Sequence, residues 1–190
     1  IYKGFGLVGD VFTEDVFAKL KGEAAVGHVR YSTTGENQIS NIQPLTAKLN
    51  TGSVAIAHNG NIVNSEVIRS QLKNDGAIFQ GNNDTECLMH MLARHPSLDP
   101  IECLKDTAIK LEGAYSLVVL TKDKMIAVRD PMGFRPLVLG KRPVGNGEEA
   151  YVVASETCAF DLIGAKYVRE IAPGEIFWVD KNGAHSERIV

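Results

Sequence analysis

The first side chains that could carry chemistry lie in residues 27–33 (GHVRYST). An apolar segment leads into Arg30, whose planar guanidinium can hold a carboxylate through two parallel hydrogen bonds, with the hydroxyl of Thr33 assisting. The alternative is a surface arginine at the end of a strand, with its side chain in solvent. The segment therefore predicts either a carboxylate-binding site or an exposed strand end.

A second candidate is the run His58-Asn59-Gly60, which follows the apolar residues 54–57. An Asn-Gly pair after such a segment commonly forms the turn of a hairpin. Here, however, the residues from 64 onward have the signature of a helix start, not of a second strand. The alternative is that the Asn59 amide and the Gly60 N–H form two donors for a developing oxyanion.

The third candidate is Asp84, in the run NNDTE. An aspartate at this position can cap the following helix, with Glu86 favourably placed near the positive end of the helix dipole. The same carboxylate could instead bind the ammonium group of a ligand. The residues alone leave both interpretations open.

Cysteine and histidine chemistry has less support. The three cysteines, at positions 87, 103 and 158, form no CxxC pair, which argues against a disulfide framework or a zinc ribbon and favours free thiols. Among the histidines only His90, four residues after Glu86, has ligand spacing, and an exposed ion pair explains that better. We predict no metal site and, without a phosphate-binding glycine motif, no nucleotide cradle.

The composition is that of a folded domain of ordinary size. The chain has 190 residues, of which 44% are hydrophobic and 23% are charged, with a net charge of −3. Polyanions such as nucleic acids are disfavoured partners for an acidic chain. No apolar run approaches the roughly 18 residues of a membrane helix, so we expect no membrane partner and a cytoplasmic location.

Hydrophobic periodicity predicts strands and helices in separate blocks. Helices are predicted from Asn64 to Gly76, from Asp84 to the residue before Pro96, from the cap Asp99 to Gly113, and over 156–162 after the cap Ser155. Strands are predicted at 24–31, 53–58, 114–120, 125–129, 137–139, 151–154, 166–171 and 175–179, with hairpin turns at 121–124 and 181–183. This block order predicts an α+β fold with antiparallel sheets.

Eight motifs, in order, make the chain resemble a known family. They are GHVRYST, NIQPL, AHNGNIVN, NNDTE, LEGAYSLVVL, RDPMGFRPL, ASETCAFDLIGA and REIAPGEI. Together they resemble the glutaminase domain of the amidophosphoribosyltransferase family, which begins purine synthesis. Two alternatives stay open: the glutaminase domain of another class II amidotransferase such as glucosamine-6-phosphate synthase, and a non-catalytic module that binds an amino acid.

The resemblance implies a fold and a set of roles. The fold is the four-layer αββα sandwich of N-terminal-nucleophile hydrolases. Arg30 and Thr33 would hold the α-carboxylate of glutamine and Asp84 its α-ammonium, with His58 also in the substrate-binding set. Asn59, through its side chain, and Gly60, through its backbone N–H, would form the oxyanion hole.

The resemblance also implies a nucleophile, a second domain and cofactors that residues 1–190 do not supply. The family's nucleophile is an N-terminal cysteine, whereas residue 1 is isoleucine. We therefore expect residues 1–190 to be a partial, N-terminally truncated glutaminase domain that is inactive alone. The family's phosphoribosyltransferase domain, with its magnesium, and the 4Fe-4S cluster of some members would also lie outside, so we expect no cofactor here. The implied partners are L-glutamine, that C-terminal domain and further copies in a homo-oligomer.

Overall fold

The computed structural model describes residues 1–30 and 39–189. Two antiparallel sheets organise these residues. The larger sheet has six strands in the order β1-β2-β3-β4-β8-β9, and the smaller has three in the order β6-β5-β7. The strands are β1 (Leu45–Leu49), β2 (Gly52–Ile62), β3 (Gly113–Thr121), β4 (Met125–Arg129), β5 (Val138–Gly145), β6 (Glu148–Ala154), β7 (Lys166–Glu170), β8 (Glu175–Asp180) and β9 (Gly183–Arg188).

The helices of the described residues lie before and between the strands. They are α1 (Val8–Val11), α2 (Glu14–Lys19), α3 (Ser65–Asn74), α4 (Thr85–Ala93), α5 (Pro100–Ala108) and α6 (Cys158–Ile163), with a 3-10 turn at Ile39–Asn41. Helix α5 begins as its sequence indicates, because the Asp99 carboxylate accepts the N–H of Ile101 and proline occupies the first turn.

Two hydrophobic cores hold the sheets and helices together. The larger lies between helices α3 to α5 and one face of the six-stranded sheet, and it includes Ile56 and Leu88. The smaller lies between the two sheets, where Leu139 of β5 packs with Phe177 of β8. Side chains alternate along a strand, so Gly140 faces the other way, towards the buried ring of Phe160 in α6. The layers are thus helix, sheet, sheet and helix, which confirms the predicted αββα sandwich.

Several predicted elements have different bounds, and one is wrong. Residues 24–30, predicted as a strand, have no regular secondary structure. Their apolar pattern suits a strand, but a strand also needs a hydrogen-bonding neighbour, and no described strand pairs with them. The predicted cap Ser155 is also wrong, because α6 begins after Thr157. Strand β1, which is short and half exposed, was missed.

The pairing of β2 creates a free edge. Strand β1 pairs with β2 only from Gly52 to Ile56, whereas β3 pairs with β2 as far as Ile62. Residues 57–62 therefore have a strand on one side only, within the part of the chain that the structure describes. The whole second candidate, His58, Asn59 and Gly60, lies in this half-paired segment.

Candidate functional site

Side-chain oxygens bind two N–H groups of the free edge of β2. The N–H of His58 donates to Oε1 of Gln43 over 2.5 Å, and the N–H of Ile62 donates to Oδ2 of Asp84 over 3.0 Å. Successive N–H groups of an extended strand alternate in direction. Gly60 lies midway between these two residues, so its N–H points to the same edge.

Gly60 occupies a position where no side chain fits. Its φ of 154° lies in the region that favours glycine. A Cβ there would lie 2.0 Å from the carbonyl oxygen of Ala114 and 2.9 Å from Nε2 of His58. Asn59 and Gly60 are inside β2, so the interpretation of this pair as a hairpin turn is wrong. Among the residues that the structure describes, the backbone at Gly60 is thus open on its edge side, and it is closed on its side-chain side.

Asn59 faces the second sheet. Its Nδ2 lies 3.4 Å from the hydroxyl of Ser155, the residue that follows β6. A hydrogen bond of this length is weak, and an amide nitrogen carries two hydrogens. Asn59 therefore retains donor capacity at the end of the gap between the sheets.

Asp84 occupies the N-cap position of helix α4, but its side chain makes no capping hydrogen bond. The N–H of Thr85, the first residue of the helix, donates to Oδ1 of Asn83 over 2.8 Å. Instead, the Asp84 carboxylate accepts the N–H of Ile62 and, over 3.2 Å, the hydroxyl of Thr85. Asp84 thus has the predicted N-cap position, whereas its carboxylate is turned towards the free edge instead of the helix.

The environment of Asp84 favours its charged form. Burial acts to raise the pKa of this carboxyl, but the neighbouring His58 ring and the N–H groups of Ile62 and Thr85 outweigh burial and leave the pKa below its usual value. Asp84 is thus a carboxylate at neutral pH, partly shielded from water. Such a group suits an ammonium ion better than a neutral ligand.

His58 lies behind the free edge. Its ring is buried, with Nδ1 3.0 Å from the Thr85 hydroxyl, and Nε2 has no hydrogen-bond partner within residues 1–30 and 39–189. Its direct contact with substrate stays a prediction. What the geometry provides is a link from β2 to the first residue of helix α4.

Arg30 lies near the residue that precedes Asp84. Its Nη1 is 3.4 Å from the carbonyl oxygen of Asn41, which also accepts a bond of 3.3 Å from Nδ2 of Asn83. Burial, followed by the charges of His58 and Arg30, lowers the pKa of His28, which indicates that these groups are neighbours. Thr33, the predicted assistant of Arg30, lies outside the described residues.

The cysteines are bonded elsewhere. Burial raises the pKa of Cys87 to about 11, and it also raises that of Cys103, whose sulfur lies 3.2 Å from both the Ser97 carbonyl and Nδ1 of His95. Cys158 is exposed on α6. Thiols with raised pKa values are poor nucleophiles, so neither buried cysteine is suited to attack a substrate at neutral pH.

The described residues contain neither a metal-binding cluster nor a membrane-spanning helix. No group of three or more histidine, cysteine or acidic side chains is arranged to hold a metal ion in the ranges 1–30 and 39–189. In the same ranges, no helix combines the length and apolar character needed to cross a membrane.

Sequence reasoning missed the residues that connect the candidates. Gln43, Thr85 and Asn83 form buried hydrogen bonds that hold the free edge against helix α4, and Ser155 contacts Asn59 across the sheets. All four lie inside motifs already quoted. What marks these residues is a polar side chain among groups that become buried on folding. Burial of this kind cannot be read from the sequence without the fold.

The comparison with known families decides what kind of domain this is. The family described as "Glutamine amidotransferase domain" matches residues 28–161, which is most of the chain and includes all six candidate residues.

The chain belongs to the glutamine amidotransferase domain family.

Curated relatives with high identity to this amidotransferase domain are named amidophosphoribosyltransferase. The chain is 49% identical over 184 residues to amidophosphoribosyltransferase 1, chloroplastic, of Arabidopsis thaliana, covering 97% of the chain and 32% of the relative. It is 45% identical over 188 residues to the amidophosphoribosyltransferase of Bacillus subtilis, covering 98% of the chain and 38% of the relative. The amidotransferase domain thus spans about a third of the length of these relatives.

Solved structures give the same picture of the fold. One, titled as the allosteric regulatory enzyme of purine biosynthesis, superimposes with a TM-score of 0.92 at 45% identity and covers 100% of this chain and 40% of that one. The glutamine phosphoribosylpyrophosphate amidotransferase of B. subtilis, complexed with ADP and GMP, gives 0.89 at 43% identity with the same coverage. The amidotransferase domain therefore has the predicted N-terminal-nucleophile fold.

Proposed function

We propose that this chain is the glutaminase part of an amidophosphoribosyltransferase. It would release ammonia from the side-chain amide of glutamine, for transfer to phosphoribosylpyrophosphate at a separate site in the first step of purine synthesis. Support comes from relatives of that name at 45% to 49% identity. We also propose that residues 1–190 form one glutaminase unit.

One observation carries the proposal. On the open edge of β2, the Gly60 N–H lies between the N–H of His58, which donates to Gln43, and the N–H of Ile62, which donates to the Asp84 carboxylate. An amino acid lying along this edge would have its α-ammonium at Asp84 and its side-chain carbonyl at Gly60 and Asn59. Arg30, with Thr33, would bind the α-carboxylate. The two ends of a free amino acid and its reacting carbonyl would then each have a partner.

The proposed reaction uses these residues to bind and to stabilise charge. A thiolate attacks the side-chain carbonyl carbon, and the carbonyl oxygen becomes an oxyanion that the Asn59 amide and the Gly60 N–H stabilise. Each such donor contributes about 3 to 4 kcal/mol to lowering the barrier. Ammonia then leaves, and water releases glutamate from the thioester.

We take the thiolate from a cysteine outside these 190 residues. Cys87 and Cys103 are buried with raised pKa values, and Cys158 makes no described hydrogen bond to Asn59, Gly60 or Asp84. In the proposal, an N-terminal cysteine uses its own α-amine as the general base, because an amine with a pKa near about 8 is partly neutral at physiological pH.

The remaining expectations stay predictions. They are a phosphoribosyltransferase domain that uses magnesium, assembly into a homo-oligomer, and an iron–sulfur cluster in the longer protein. A cytoplasmic location also stays a prediction, since the Arabidopsis relatives are named as chloroplastic.

The test is glutaminase kinetics on the natural polypeptide that carries this sequence. We expect Asn59→Ala to lower kcat for glutamate release by about 10²- to 10³-fold, because one oxyanion donor is lost. The control is Asn182→Ala, at the exposed β8–β9 turn. The proposal fails if both variants keep wild-type kcat, or if the wild-type protein releases no glutamate.

A further inference from the structure

Gln43 connects strand β2 to helix α4 at the candidate site, and it is not among the residues predicted from the sequence. It follows the turn Ile39–Asn41, and only 7% of its surface is exposed. Its Oε1 accepts the N–H of His58 over 2.5 Å, and its Nε2 donates to Oγ1 of Thr85 over 3.2 Å. Because a backbone N–H can only donate, the orientation of the Gln43 amide is determined by this pair of bonds.

The hydroxyl of Thr85 has its full set of hydrogen bonds. It accepts from Nε2 of Gln43 and donates to Oδ1 of Asp84 at 3.2 Å, and Nδ1 of His58 lies 3.0 Å from it. A hydroxyl has two acceptor positions and one proton, and a carboxylate only accepts, so the bond to Asp84 uses that proton while Gln43 fills an acceptor position. The donor from Gln43 therefore helps to direct the Thr85 proton to the carboxylate.

The two bonds of Gln43 reach neighbours of both substrate-binding groups. His58 precedes Gly60 by two residues on β2, and Thr85 directly follows Asp84 at the start of α4. One buried amide thus sets the spacing between the edge that would hold the oxyanion and the carboxylate that would hold the ammonium. Reactions that depend on such spacing are sensitive to displacements of about 1 Å.

We propose that Gln43 is a positioning residue for the glutamine site, which acts through His58 and Thr85 and does not touch the substrate. This inference rests on the proposed glutaminase function. Glutamine suits the position because it supplies one acceptor and one donor without charge. A glutamate would keep the acceptor for His58 but would place a second carboxylate near Asp84 and lose the donor to Thr85.

Steady-state glutaminase kinetics on the natural polypeptide test the proposal. The variants are Gln43→Met, Thr85→Val and the double variant, with Gln71→Met on the exposed face of α3 as the matched control. We expect Gln43→Met to lower kcat at least tenfold with a smaller change in KM. We expect the kcat of the double variant to be little lower than that of the poorer single variant, because each single variant already removes the connection between Gln43 and Thr85.

Each other outcome overturns the proposal. A Gln43→Met variant with kcat within twofold of wild type overturns it, as do single-variant effects that multiply in the double variant. A lowered melting temperature with unchanged kcat per folded molecule shows a merely structural role. Absence of wild-type turnover removes the proposed function and this inference together, whereas unaffected turnover in Gln43→Met removes this inference alone.

A second pair of variants tests the same connection if Gln43→Met does not fold. Thr85→Ser keeps a hydroxyl that can accept from Gln43 and donate to Asp84, while Thr85→Val keeps the shape and loses the hydroxyl. The proposal requires kcat at least tenfold higher in Thr85→Ser than in Thr85→Val. Equal kcat values in these two variants contradict it.

Discussion

At the scale of single residues, Gly60 tolerates the least change. A methyl group there would meet the Ala114 carbonyl oxygen at 2.0 Å, so β2 and β3 would have to separate locally. We expect Gly60→Ala to lower the free energy of unfolding by about 2 to 4 kcal/mol, as other strained backbone substitutions do. Gly183→Ala, where a Cβ meets nothing within 4 Å, is the control for the backbone strain alone, since both glycines have positive φ.

Chemical denaturation of the natural polypeptide measures this difference. Gly183→Ala should cost less than Gly60→Ala, because only the second adds a collision with a neighbouring strand. Equal losses for the two variants would show that the contact with Ala114 has no role.

The charge of Asp84 gives a prediction for pH. Its pKa is lowered by His58 and by backbone N–H groups against the opposing effect of burial, so the carboxylate stays ionised well below neutral pH. The group therefore stabilises the folded state above its ordinary pKa, and that contribution is lost as pH falls through the lowered value. We expect the KM for glutamine to stay constant between about pH 5 and pH 8 as far as Asp84 is concerned.

Kinetics across this pH range test the prediction with two variants. Asp84→Asn should raise KM at every pH, whereas Asp161→Asn, on the exposed surface of α6, should not. A rise in KM centred near pH 6 that Asp84→Asn abolishes would contradict the lowered pKa.

Residue types were easier to predict than residue connections. The donors of Asn59 and Gly60 and the carboxylate of Asp84 follow from their chemistry and from the family motifs. The bonds of Gln43 and Thr85 join segments 42 residues apart, and only the fold brings them together. The sequence left Asp84 between two roles, and the structure shows that its carboxylate makes no capping bond and binds the N–H of Ile62.

At the scale of elements, local signals predicted the helices better than the strands. Helices α3, α4 and α5 lie within their predicted ranges because caps, proline and apolar spacing act within one segment. The strand predicted at 24–31 has the right apolar pattern but no described neighbour over 24–30. Whether a segment pairs depends on residues far away in the chain, and so strand prediction from pattern alone fails here.

An ion pair joins the two sheets at this scale. Arg169 of β7 donates to both carboxylate oxygens of Glu175 at the start of β8, over 2.8 and 2.6 Å. Burial acts to raise the pKa of Glu175, but Arg169, Ser186 and the N–H of Ala172 lower it below the usual value. The pair therefore stabilises the fold above the ordinary glutamate pKa, and the effect is lost as pH falls through the lowered one.

We expect Glu175→Gln to lower the free energy of unfolding at neutral pH by about 2 kcal/mol, because a largely buried carboxylate loses charged partners. The difference from wild type should shrink below about pH 4. Urea denaturation at both pH values measures it, with Glu149→Gln at the exposed end of β6 as the control. A difference that is independent of pH would contradict the assigned role of the charge.

At the scale of the whole molecule, the described residues leave apolar surface uncovered. Leu7 and Phe17 are 76% and 60% exposed, and a cavity of about 1270 Å³ lies between the N-terminal segment and the strands β1 and β2. The sandwich of layers was predictable from the family motifs. The cavity was not, because its walls come from distant parts of the chain.

This surface leads to a prediction for the isolated 190-residue chain. We expect it to release no glutamate from glutamine, to bind a hydrophobic dye, and to unfold over a broad temperature range or aggregate. Calorimetry, dye fluorescence and a glutamate assay measure these properties. A sharp, reversible transition without dye binding would contradict the prediction, and so would turnover that Asn59→Ala abolishes.

The most direct test of the site is a crystal structure of the natural polypeptide with L-glutamate bound. The account predicts the α-ammonium within about 3 Å of the Asp84 carboxylate and the side-chain carboxylate facing the Gly60 N–H and the Asn59 amide. The α-carboxylate should lie against Arg30. Glutamate bound away from the free edge of β2, or bound there without contact to Asp84 and Gly60, would contradict the central claim.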